Sequence, residues 1–106
     1  MKTNERRSEE SRVIELAVFR LRPGVAEYDF SGALAASNAW LSRQPGFLLR
    51  RHGVSDNGER VDYLEWESVA AAQSAAEAFV HAIELRPFNE AIDMESMSMR
   101  HFALVI

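Results

Sequence analysis

Asp56-Asn57-Gly58, followed by Val61-Asp62-Tyr63-Leu64-Glu65-Trp66-Glu67-Ser68, is the stretch that decides how this chain folds. Asn57-Gly58 supplies the two positive φ angles of a two-residue hairpin turn, so the segments on either side should pair as antiparallel strands. In the strand after the turn, Asp62, Leu64 and Trp66 share one face, because side chains alternate at period two. Leu64 and Trp66 mark that face as buried. The Asp62 carboxylate therefore sits where burial is costly unless it is paired or solvated. Ser68 then stands as an N-cap before an Ala-rich helix, with Val69, Ala72, Ala76, Phe79, Val80 and Ile83 on one stripe.

Working outward, Phe47 to Ser55 forms the strand before the turn, and Pro45-Gly46 ends the element before that. Phe30, Ala33, Leu34, Ser37 and Leu41 recur at helical spacing over residues 28–43, with Asp29 placed to cap them. Ser11 to Leu21 is β-branched and aromatic enough for a first strand, closed by Pro23-Gly24. Pro87 interrupts the second helix, and Ser96 to Ile106 forms a last strand. The order β-α-β-β-α-β is the ferredoxin-like α+β pattern. It implies a four-stranded antiparallel sheet with the first and third strands in the centre and both helices on one face. Residues 12–106 form a single domain, and residues 1–11, polar and charged, form a flexible tail.

The uncovered face of such a sheet should be polar. Here both faces are apolar: Ile14, Leu16 and Val18 alternate with Glu15, Ala17 and Phe19, and Phe102, Leu104 and Ile106 alternate with Ala103 and Val105. A second copy of the chain, sheet against sheet, is the economical cover, so a homodimer is expected. With Asn57-Gly58 as the two turn residues, Val54 faces Val61, His52 faces Tyr63 and Arg50 faces Glu65. That register gathers Arg50, His52, Tyr63 and Glu65 on the partner-facing side with Glu15 and His101, as a polar interface network. It leaves Arg51 beside Leu64 on the helix side, within reach of Asp62 or a substrate anion. A bulge at the turn would exchange the two faces.

Composition narrows the function. The net charge is −4 and no basic stripe interleaves with aromatics, which argues against nucleic-acid binding. The absence of cysteine removes thiolate catalysis and Cys-based metal sites. His52, His81 and His101 lie on separate elements with no i, i+4 pair, so no metal site is expected. No apolar run is long enough to span a membrane, and residues 1–12 lack the apolar centre of a secretory signal, which makes the cytoplasm the expected location. Asp62 and Trp66 are the leading catalytic candidates. Asp62 would act as a general base with its pKa raised by burial, and Trp66 would stack on an aromatic substrate and exclude water. Alternatively, Trp66 fills the core and Asp62 pairs with an arginine. Trp40 is either the lip of a pocket or a core residue. Met94, Met97 and Met99 are packing material for a dimer or pocket wall.

Pro45-Gly46-Phe47, the hairpin, Glu65-Trp66-Glu67-Ser68, the Pro87-Phe88 turn and the final strand together resemble the dimeric α+β barrels related to antibiotic-biosynthesis monooxygenases. The resemblance spans Val13 to Ile106. It implies a pocket between the sheet and helices of each protomer and, in its best-understood branch, a cofactor-free oxidation of polycyclic phenols to quinones. That branch uses an Asn on the third strand, a Trp four residues later and a Tyr one and a half turns into the next helix. Here these positions hold Asp62, Trp66 and Ala72. The haem-degrading branch's Asn, Trp and His fall near Ala17–Val18, Ala75 and Ile92, so haem is not expected. The resemblance thus implies no cofactor and a small aromatic or polyketide-type substrate, with Trp40, Arg51, Leu64, Ala72 and Phe79 as binding candidates. The same fold also carries isomerases, decarboxylases and proteins without a known reaction.

Overall fold

A computed structural model describes residues 11–106, so the expected tail at 1–11 lies almost wholly outside the described residues. The elements are β1 (Val13–Leu21), α1 (Glu27–Ser42), β2 (Phe47–Val54), β3 (Arg60–Trp66), α2 (Val69–Phe79), a 3-10 turn (Ile83–Leu85), α3 (Arg86–Ala91) and β4 (Ile92–Ala103). The four strands form an antiparallel sheet in the order β2-β3-β1-β4, with β1 and β3 central, as the ferredoxin-like reading requires. Ser68 caps α2, its hydroxyl accepting from the Ala71 N–H at 3.1 Å. Asp29 is not a cap: α1 begins two residues earlier, at Glu27, and its N-cap, Ala26, makes no side-chain cap. Glu27 and Asp29 instead sit in the first turn, where carboxylates complement the helix dipole. The last strand starts four residues earlier than expected, directly after α3, and a register shift opposite Val18 to Arg20 absorbs the extra length.

The hairpin departs from the expected turn in a way that reorganises the site. Ser55 N–H donates to the Glu59 carbonyl at 2.7 Å, and Gly58 N–H donates to the Ser55 carbonyl at 3.1 Å. The loop therefore has three residues, Asp56, Asn57 and Gly58. Of these, Gly58 alone has a positive φ, at 90°. A type I turn followed by a left-handed glycine is the next commonest hairpin after the two-residue form. The Ser55 hydroxyl and Asn57 Oδ1 hold it by accepting from the Glu59 N–H at 3.1 and 3.2 Å. Pairing moves by one residue: Val54 faces Arg60, His52 faces Asp62 and Arg50 faces Leu64. Because side chains alternate, Arg50 and His52 point toward the helices, and Arg51 is exposed on the opposite face.

The same correction applies to β1. Val13, Glu15, Ala17 and Phe19 are buried beneath the helices together with Arg60, Asp62, Leu64 and Trp66 of β3. Ile14, Leu16 and Val18 lie half-buried on the far face with Val61, Tyr63 and Glu65. The expected polar interface network therefore divides. Only Tyr63 and Glu65 remain on the far face, joined by a 2.7 Å hydrogen bond from the Tyr63 hydroxyl. Glu15, Arg50, His52 and His101 belong to the side the helices cover. Two buried apolar clusters fill that side. One surrounds Phe19, Phe30 and Phe88, and the other surrounds Trp40, Leu64, Trp66 and Leu85. Phe79 packs against both, and between them the sheet carries its charged residues.

Candidate functional site

A cavity of about 270 Å³ opens between the sheet and the helices, near the small end of ligand pockets. Its floor is Glu15 and Ala17 of β1 with Asp62, Leu64 and Trp66 of β3, and Arg50 of β2 reaches in beside them. The roof is Ala75, Ala76 and Phe79 of α2, with Phe88 and Asn89 of α3 closing one end. Val80 and Met94 line it while staying largely exposed, so the mouth lies between the end of α2 and the start of β4. The small alanines on α2 leave this space where larger side chains would fill it.

Asp62 is held by three contacts from two residues. Arg50 makes a two-pronged pair with it, Nε to Oδ1 at 3.0 Å and Nη2 to Oδ2 at 2.9 Å. His52 Nδ1 lies 2.7 Å from Oδ1. The third Arg50 nitrogen, Nη1, donates to the Ser37 hydroxyl at 2.7 Å. On the far side of His52, Nε2 lies 3.1 Å from Arg60 Nη1. A guanidinium can only donate, so Nε2 accepts and the proton of the neutral ring sits on Nδ1, donated to Asp62. Arg60 is in turn paired with Glu27. Two buried arginines are thus balanced by two carboxylates through one neutral histidine.

This geometry reverses the expectation for Asp62. Burial pushes its carboxyl up, but the hydrogen bonds from His52 and Arg50 and the Arg50 charge outweigh that and hold it below the usual aspartate range. A carboxylate stabilised in this way is a poor proton acceptor. The carboxyl that is raised is Glu15, which is 8% exposed. Burial pushes it up, the nearby Asp62 charge adds to the rise, and His101 and Trp66 only partly oppose it. Its direct hydrogen bond among the described residues is to His101, Nε2 to Oε1 at 3.1 Å. The Trp66 indole N–H is close enough to lower the Glu15 pKa, yet it has no partner at hydrogen-bonding geometry.

The other candidates separate cleanly. Leu64 and Phe79 line the cavity. Trp40 is a core residue, edge-on to Phe79 with ring centres 5.4 Å apart, and Ala72 is fully buried behind the roof. Arg51 faces away from the site. Met94, Met97 and Met99 line the β4 wall. His81 is exposed. Among the described residues no group of three His, Asp or Glu is placed to hold a metal, and no helix is long and apolar enough to cross a membrane. Sequence reasoning put Glu15, Arg50, His52 and His101 on the wrong face, and of these Glu15 is the one on a central strand. The usable signal was its register with β3, where it sits opposite Leu64.

No family model matches the chain, and no curated protein matches it in sequence. Its fold is shared with several solved structures of antibiotic-biosynthesis-monooxygenase type. SnoaB, a cofactor-independent oxygenase from Streptomyces nogalater, is 18% identical over 91% of this chain and 93% of its own, with a TM-score of 0.63. A protein from Bordetella bronchiseptica assigned to the antibiotic biosynthesis monooxygenases is 20% identical over 91% and 99%, with a TM-score of 0.69. A dimeric ferredoxin-like protein of unknown function from Thermobifida fusca is 13% identical over 91% and 93%, with a TM-score of 0.71. At these identities the likeness defines the fold and leaves the reaction to be argued from the site.

Proposed function

We propose that the chain is a cofactor-independent, monooxygenase-like enzyme acting on an aromatic or polyketide-type small molecule in the cavity beside Trp66. The observation that supports this reading is an apolar-walled cavity whose floor combines the Trp66 ring with the buried Glu15 and Asp62 side chains. A flat, hydroxylated ring system would bury its hydrocarbon between Leu64, Phe79 and the alanine roof and place its oxygen at the polar floor. Loss of a proton there makes an electron-rich anion that can react with dioxygen directly, without flavin or metal. SnoaB, with the same fold, is a cofactor-independent oxygenase, which supports this reading.

Oxygen uptake by metal-free protein should be seen with polycyclic phenols or hydroquinones, and Trp66→Phe should reduce it about tenfold or more by removing the N–H donor. A panel without uptake above buffer, in a protein that binds those compounds, removes the oxygenase reading. Binding together with turnover that consumes no oxygen would favour an isomerase or cyclase. The raised Glu15 carboxyl favours that second reading, since it serves proton transfer with or without oxygen.

The functional unit we propose is a homodimer built on the far face of the sheet, where Ile14, Leu16 and Val18 are incompletely covered and Phe102 is exposed. The dimeric T. fusca protein supports this arrangement. Sedimentation at micromolar concentration should give twice the monomer mass, and Leu16→Glu should give the monomer, because it buries an unpaired charge at the centre of that face. A wild-type protein that sediments as a monomer ends the proposal.

A further inference from the structure

Every charged group on the cavity floor except one is already saturated. Asp62 takes Arg50 and His52, and each Arg50 nitrogen is engaged by Asp62 or Ser37. Glu15 has one direct hydrogen bond among the described residues, to His101, and is one of the residues lining the cavity. His101 sits opposite Glu15 on the edge strand β4, with its side chain 35% exposed. The pair therefore runs from the enclosed floor of the cavity to the outside of the sheet.

We propose that Glu15 and His101 form a proton-transfer pair serving the cavity, in which Glu15 takes a proton from the bound molecule and His101 carries it outward. The Glu15 carboxylate accepts the proton of an O–H or acidic C–H, and the bonding electron pair stays on the ligand. The Trp66 N–H, close enough to Glu15 to lower its pKa, steadies the carboxylate as it receives the proton. His101 Nε2 donates to the resting carboxylate; once Glu15 holds the ligand's proton, exchange with water moves the ring's proton from Nε2 to Nδ1, Glu15 passes its proton across the 3.1 Å contact to Nε2, and Nδ1 releases its own to water, which restores both groups. No oxidant takes part. Desolvation, which raises the Glu15 pKa, also makes it a stronger base than an exposed carboxylate.

The groups facing Glu15 define what the pair responds to. His101 approaches from β4, and Asp62 and Trp66 approach from β3, with Arg50 of β2 behind Asp62. The cavity walls from α2 and α3 contribute Ala75, Ala76, Phe79, Phe88 and Asn89, none of them titratable. Removing His101 therefore takes away the larger influences that lower the Glu15 pKa, and leaves burial and Asp62, which raise it, opposed by Trp66 alone.

The pair rests on the cavity being the ligand site, but not on the use of oxygen, and the probe is chosen accordingly. 5-Nitrobenzisoxazole loses its ring C–H proton to a base while its N–O bond breaks, giving a coloured nitrophenolate without oxygen or metal. The expected result is that metal-free protein accelerates this opening over buffer, with a rate that rises with pH through one ionisation. Glu15→Gln, isosteric and uncharged, should lose about 100-fold or more, and Glu15→Asp should recover part of it. His101→Gln should move the midpoint of the profile to higher pH, a shift that a purely structural histidine would not produce. Glu84→Gln, at the exposed pair with Arg43, serves as the unaffected control. An unaccelerated wild-type reaction, an undiminished rate in folded Glu15→Gln, or an unmoved midpoint in His101→Gln overturns the assignment. Acceleration without oxygen uptake on phenols keeps the pair and discards the oxygenase reading.

Discussion

Asp62→Ala should cost about 3–5 kcal/mol of unfolding free energy, because it leaves the Arg50 guanidinium buried and without its counter-charge. The Arg50 and Asp62 side chains are 4% and 8% exposed, so the stranded guanidinium would keep little contact with bulk water. The Ser37 hydroxyl would be the only remaining acceptor among the contacts Arg50 makes. A domain of this size loses about 4–8 °C of melting temperature per kcal/mol, so the drop should be at least ~12 °C. Urea unfolding at neutral pH gives the free energy directly. The pH dependence has a definite sign. Asp62 has a depressed folded pKa, so its contribution is complete above the unfolded aspartate value of about 3.9 and is lost as pH falls through the lower folded value. The gap between wild type and variant should therefore close in acid. A gap that is constant from neutral pH down to acid would mean that packing, not charge, sets the cost. Replacing both partners with apolar residues of similar volume should be far milder than either single change, since no charge is then stranded.

Gly46→Ala should be the most damaging single methyl group in the chain. Gly46 has φ of 83°, where an L side chain is strained by about 1–2 kcal/mol. Its added Cβ would also fall 2.5 Å from the Ala71 Cβ on the first turn of α2. Backbone cannot yield easily there, because the Gly46 carbonyl accepts from the Glu67 N–H at 2.8 Å, immediately before the helix cap. The two costs together should reach about 3 kcal/mol or more. Ala71→Gly in the same chain would relieve the collision but not the φ strain, so the double variant should recover part of the loss and separate the two causes. Full recovery would show that φ strain contributes nothing, and no recovery would show that the contact does not matter. Because α2 forms the roof of the cavity, the single variant should also weaken binding of the benzisoxazole probe.

The phase of β3, the Ser68 cap and the β-α-β-β-α-β order were legible because they depend on local alternation and capping. Leu64 and Trp66 fix the phase of β3 unaided. The phase of β1 could not be fixed in the same way, since Ile14, Leu16 and Val18 are as apolar as Ala17 and Phe19. Only pairing with β3 places Glu15 beneath the helices. The hairpin failed for a different reason. Asn57-Gly58 is the strongest signal for a two-residue turn, yet hydrogen bonds from the Glu59 N–H to Ser55 and Asn57 favour a three-residue loop. One residue of register then exchanged Arg51 for Arg50 and His52 at the site. The pKa order of the two acids followed from that exchange and could not be known before it. Asp62 gained the cations, and Glu15 was left with the weaker partner.

The cavity's division of labour has a consequence for how such a protein can diverge. All of its ionisable floor comes from the sheet, and the α2 roof contributes only bulk, through Ala75, Ala76 and Phe79. Substitutions on α2 can therefore widen, narrow or reshape the space without disturbing the charge balance below it. Changes on β1 or β3 alter the acid–base chemistry and also threaten the buried ion pair that holds the sheet together. A lineage built on this chain could explore new ligands freely along one helix, while its reaction stayed fixed by the cost of altering the floor.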